Sequence, residues 1–308
     1  MLPRLNNSSG GGTSAARSAA GPNPYCVASP QFHPDSQLNE NNVGKDINAT
    51  ELRMRLIAEL TTKISAIELA GEPNSLSPEQ TQMLSVQMGI AISAAFAQVG
   101  IPAPSHECVI ERAVLPGSAK RHVGGFHPEQ WQIVTDPMLV KDKRHLVTNA
   151  VHESTHAFDL FLLVSHVLHG PPSGNPEKDA YARKLVDALP KQVIAVAEQH
   201  PYRDSDGRID QLITGYQLAA ATNDRLQMAQ IEVGNASWSA DQDAERQGPI
   251  TWALRQIGFY RTTRERKAKE EFTAAYAAYA NSPVEQGPMD AQVSAGECLD
   301  ALRDVRKP

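Results

Sequence analysis

A mainly helical α+β fold with a small β-sheet is the expectation for this chain, and three features of the sequence set it. Two long segments place apolar residues four apart, the period of a helix face. A short interval near the middle switches to β-prone runs around a glycine pair. After Pro137 the helical period returns and mostly holds to the C-terminus.

The elements follow in order. Residues 1–48 contain "NNSSGGGTSAARSAAGPNP", have no acid before Asp35 and carry few large apolar side chains. Such a stretch cannot bury enough surface to offset the entropy of ordering, so a disordered leader is expected. It holds no apolar core for a general secretory signal. Its acid-poor, Ser-rich start fits a bacterial injection-type signal, a mitochondrial transit peptide or a plain flexible tail. A helical N-terminal region at 49–104 follows. Leu52, Leu56, Leu60 and Ile64 mark a first helix that Gly71 and Pro73 end. A second runs from about Pro78 to Val99, closed by Gly100 and Pro102. "CVIERAVL" (108–115) and "QWQIVTD" (130–136) read as strands separated by the glycines of "HVGGFHP". Residues 105–308 form the remaining domain, with helix breaks expected at Gly170-Pro171-Pro172, His200-Pro201, Gly234, Gly248-Pro249 and Gly287-Pro288.

Composition excludes several classes. A net charge of -6 offers no basic surface for nucleic acid. The apolar run from Met88 to Ile101 is short and rich in Ala, Ser and Gln, so no transmembrane segment is expected. Cys26, Cys108 and Cys298 are too scattered for a disulfide framework or a structural zinc site. "DSDGRID" (204–210) fails as a calcium loop, because Tyr202 and Ile213 stand where the first and last carboxylates belong. It reads as a turn.

The chemistry concentrates in "NAVHESTHAFDLF" (149–161). Residues at i and i+4 stand one above the other on a helix, so His152 and His156 can aim their imidazoles at one metal ion. Zinc lowers the pKa of a bound water towards neutrality, and a carboxylate beside it, here Glu153, takes the proton during attack on a carbonyl. His145, His166 and His169 lie about 10 Å or more along the helix axis from that pair and are read as surface or packing histidines. Two histidines leave zinc short of the three protein ligands of a hydrolytic site. Some residue remote in sequence must complete it.

"GGFHPEQWQIVTDPMLVKDKRHLVTNAVHESTHAFD" resembles the metallopeptidases that process a mitochondrial ATP-synthase subunit, which carry a Gly-Gly-aromatic turn, a strand and a helix with HExxHAFD. It also resembles the catalytic domain of the anthrax lethal factor family, with HExxHxxD. The resemblance implies a zincin-like helical domain and places Asp159 as a hydrogen-bond partner that orients a ligating imidazole. Asp159 and Leu162 stand where a metzincin has Gly and His, which excludes that clan. "FYRTTRERKAKEEFTAAYAAYANSP" is similar to the lethal-factor segment that supplies the third ligand. That likeness implies Glu270 as ligand, with Glu265 and Glu271 as local rivals, and Tyr260 as donor to the oxyanion. Ala274 replaces the family's second Glu there.

The combined expectation is a Zn2+-dependent endopeptidase with metal ligands His152, His156 and Glu270, catalytic Glu153 and Tyr260, and Asp159 behind the ligands. It would act on a protein substrate, as a bacterial effector secreted and injected into a host cell. The alternatives are an organellar processing peptidase, mitochondrial or cytoplasmic in location, and a non-catalytic helical interaction protein on the same scaffold.

Overall fold

A computed structural model describes residues 48–109, 123–202, 204 and 207–305. The leader expected at 1–48 therefore lies outside the described residues except for Asn48, as does most of the strand expected at 108–115. Within the described residues the architecture is the expected one: mainly α, with a small three-stranded sheet.

Helix α1 (Ala49–Ser65) starts where the Asn48 side chain accepts from the Glu51 amide, and it buries Leu52, Leu56, Leu60 and Ile64 as their spacing requires. Helix α2 (Pro78–Val99) opens on a Ser77–Gln80 capping box and closes on Gly100 in the left-handed conformation. By length and composition alone α2 would span a bilayer, yet Leu84, Met88, Ile92, Phe96 and Val99 are buried in the protein core against α1.

Strands β1 (Ser105–Cys108), β2 (Gly124–His127) and β3 (Gln132–Thr135) pair in the order β1-β3-β2, parallel for β1 with β3 and antiparallel for β2 with β3. The first strand ends where the sequence expectation began it. The glycine pair, expected to separate strands, is itself strand β2. Glycine is a poor strand former, but here the missing side chain is used: a Cβ on Gly124 would come within 2.4 Å of the Asn149 side chain. Trp131 turns the hairpin at φ 50° and anchors it, its indole N–H donating to the Pro102 carbonyl at 2.9 Å.

Helix α3 (Lys143–His169) is capped by Asp142 and runs through the middle of the molecule, touching α1 and β2. Short α4 (Pro176–Asp187) and α5 (Lys191–Ala197) lead to α6 (Arg208–Arg246), which then passes to α7 (Pro249–Gln256), α8 (Thr263–Ala280) and α9 (Pro283–Val305). The expected break at Gly234 does not occur. An interior glycine costs only about 1 kcal/mol, and α6 packs against α8. The break expected at Gly287-Pro288 falls one turn early, at Ser282-Pro283, where proline is tolerated as the first helical residue. Asp204, in the segment expected as a turn, caps α6 by accepting from the Arg208 and Ile209 amides. One hydrophobic cluster extends from α1 and α2 through α3 to α9, so region 49–104 shares its core with the domain that follows.

Candidate metal centre

Helical geometry alone brings the first two donors together. His152 Nε2 and His156 Nε2 lie 3.2 Å apart on α3, their rings at 76° to one another. The Glu153 carboxylate, one position round the same helix and buried, lies within 4.8 Å of both imidazoles.

The third donor comes from α9. Glu285 presents Oε2 to His152 Nε2 at 3.3 Å and Oε1 to His156 Nε2 at 3.6 Å. It sits in the first turn of α9, where the helix dipole favours a carboxylate. Two glycines let that turn reach the site. A Cβ on Gly215 of α6 would lie 2.8 Å from the Val284 amide nitrogen, and one on Gly287 would press on Arg53 and Asp159 at 3.1–3.2 Å.

The two imidazole nitrogens stand 3.2 Å apart, and each faces its own Glu285 oxygen, Oε2 at 3.3 Å from His152 and Oε1 at 3.6 Å from His156. Donors around a tetrahedral zinc at about 2.0–2.2 Å stand about 3.3–3.6 Å apart. Two imidazole nitrogens and one carboxylate are also the donor types zinc accepts. The residues therefore fit the ion in number, type and spacing. The His152 Nδ1 atom is buried with no hydrogen-bond partner among the described residues.

Electrostatics follows from burial and close charge. Burial disfavours ionised Glu285, but hydrogen bonds from His152, His156 and Tyr279 hold its carboxyl below the ordinary range. Burial likewise opposes a charged His156, yet Glu285, Glu153 and Asp159 outweigh it and raise its pKa. Burial raises the Tyr279 hydroxyl, and the neighbouring Glu285 charge raises it further. Tyr216 is raised mainly by burial.

These residues line one cleft of about 860 Å³. Gly124–His127 of β2 form one wall, α6 contributes Tyr216, Leu226 and Gln230, and the end of α8 contributes Tyr276 and Tyr279. The sheet order leaves β2 at an edge among the described residues.

Glu270 is not part of this centre. It is exposed on α8, because that helix buries Ala268 and Ala275 against α6 and Glu270 falls about 200° round from Ala268. Glu271 is exposed too, and Glu265 closes the capping box of α8 and pairs with Arg255. Tyr260 is also away from the cleft, its hydroxyl accepting from the Gln247 amide at 3.0 Å. Asp159 lies behind the site as expected but has different partners. It accepts from Arg53 of α1 and Arg208 of α6 rather than from an imidazole, tying three helices together one turn beyond His156. The other histidines serve packing and turns: His145 accepts from the Lys141 amide and His169 contacts the Ala197 carbonyl.

Glu285 and Tyr279 are the residues that sequence reasoning missed. A signal was present: Ser282-Pro283-Val284-Glu285 has the S-x-x-E spacing and the first-turn proline of a helix start. Comparison with protein-family models, curated proteins and solved structures finds no match for the chain.

Proposed function

We propose that the chain is a zinc-dependent endopeptidase in which His152, His156 and Glu285 hold the metal and Glu153 is the general base. One observation carries the reading. Two imidazole nitrogens from α3 and a carboxylate from α9 face one another at 3.2–3.6 Å, close to the spacing of donors around zinc, with a second buried carboxylate beside them. Bound there, zinc supplies a Lewis acid and lowers the pKa of water towards neutrality.

The chain's own residues have the remaining roles. Glu153 accepts the proton from the attacking water and returns it to the leaving amine. Tyr279, through its hydrogen bond to Glu285, orients that carboxylate in the cleft wall. The edge of β2 can pair with an extended peptide backbone, which suits a protein substrate better than a small molecule. Together with the acid-poor leader, this supports an effector that cleaves a protein of another cell.

The test is cleavage of an unfolded protein by purified chain, by chelator-stripped chain and by chain with zinc restored. Activity should vanish and return with zinc, and Glu153→Gln should bind zinc normally while losing at least about 100-fold in turnover. Zinc-loaded wild type without any cleavage would favour the non-catalytic interaction protein, and a Glu153→Gln variant above about a tenth of wild-type rate would overturn Glu153 as the base.

A further inference from the structure

The far half of α6 carries a second feature that the metal centre does not use. Helix α6 has 39 residues and is roughly 58 Å long. Its N-terminal part lines the cleft through Tyr216, Ala219, Ala220 and Leu226, and Gln230 just past its midpoint does so too. Its second half holds α7 and the start of α8, through Arg255 to Asp241 and Ser237 and through Arg264 to Glu232. Helix α7 buries none of its residues. Ile250, Ile257 and Phe259 are 78%, 67% and 82% exposed, with Trp238, Trp252 and Leu254 also open. An isolated exposed Leu or Ile is ordinary, but six large apolar side chains in one short segment require a partner.

Charge selects the partner. Residues 236–271 hold seven Lys and Arg against six Asp and Glu, but from Arg246 to Lys269 the only acid among the seven basic residues is Glu265, within a chain whose net charge is -6. Arg255 is engaged by Asp241 and Glu265, and Arg264 by Glu232. Arg246, Arg261, Arg266, Lys267 and Lys269 are exposed beside the apolar residues. Trp, Phe and Ile flanked by Arg and Lys are what a peripheral protein presents to an anionic membrane interface. Tip-to-tip association of two copies would bring these positive segments together, and the rest of the chain is acidic enough to be repelled by the same lipid surface.

We infer that the α6–α7–α8 tip docks the protein onto an anionic lipid bilayer, with Ile250, Leu254, Ile257 and Phe259 entering the interface and Arg261, Arg266 and Lys267 meeting the headgroups. This inference stands apart from the zinc reading.

Co-sedimentation of the full chain with vesicles of phosphatidylcholine, with and without phosphatidylserine, tests it. Binding should need the anionic lipid and weaken with salt. Loss of one basic residue should weaken it roughly fivefold, so Arg261→Glu with Lys267→Glu should reduce it by well over tenfold. Ile250→Asp with Phe259→Asp should abolish binding, while helical circular dichroism and cleavage of a soluble substrate stay at wild-type level. Absence of vesicle binding, equal binding to both vesicle types, or unchanged binding by the variants would overturn the inference. So would a wild-type dimer in light scattering that the same substitutions dissociate, since the tip would then be an interface between copies.

Discussion

Replacing Glu285 by Gln keeps the side chain's size and one oxygen acceptor but removes the charge that faces both histidines. In the structure this carboxylate faces both imidazoles, Oε2 at 3.3 Å from His152 and Oε1 at 3.6 Å from His156. Without it the site falls to two imidazoles, fewer protein ligands than a hydrolytic zinc site uses. Substitution of groups that only support ligands already costs 10- to 100-fold in metal affinity. Loss of a ligand should therefore exceed about 100-fold, or roughly 2.7 kcal/mol. The assay is competition for zinc between chelator-stripped protein and a fluorescent indicator, run in parallel on Glu285→Gln and Glu270→Gln. Glu270 is exposed on α8, so its variant should match wild type within about twofold, the scatter of ordinary context effects at a surface site. Wild-type affinity in Glu285→Gln, or a loss confined to Glu270→Gln, would refute the assignment.

Other expectations rest on separate parts of the molecule. Tyr279→Phe removes the hydroxyl that holds Glu285 and should weaken zinc binding about 10-fold in the same competition assay, without unfolding the chain. Asp159→Asn should lower the melting temperature by about 6–12 °C, from roughly 3 kcal/mol for breaking a buried charge cluster, because Arg53 and Arg208 both lose their counter-charge. His106 is held neutral: burial lowers its pKa to about 4 from 6.5, against the pull of the Ser85 carbonyl. The unfolded chain takes up this proton below 6.5 and the folded chain only below about 4. Stability should thus fall as pH drops between those values, by up to about 3 kcal/mol, and His106→Gln should flatten that slope in urea titrations.

The parts of the site legible in the sequence were those that one helix determines. His152, Glu153 and His156 need only the 3.6-residue period to converge, and the Leu52–Ile64 face of α1 needs only its spacing of four. Glu285 depends on where α9 begins and on how closely Gly215 and Gly287 let it approach, which no local period encodes. Glu270 occupied a plausible place in a motif likeness, but Ala268 and Ala275 decided which face of α8 turns inward. Asp159 was expected behind the two histidines, while its partner Arg53 is 106 residues away and could not be paired with it. Strand β2 was hidden for the opposite reason: Gly124 and Gly125 signal a turn locally, and only the close approach of Asn149 gives those glycines a place in a sheet.

Anomalous diffraction at the zinc edge from crystals grown with one equivalent of zinc tests the central claim most directly. The account predicts a single peak about 2.0–2.2 Å from His152 Nε2, His156 Nε2 and a Glu285 oxygen, with its fourth position open beside Glu153. A map without density at that point, or with a fourth protein ligand closing the ion from the cleft, would contradict a hydrolytic centre there.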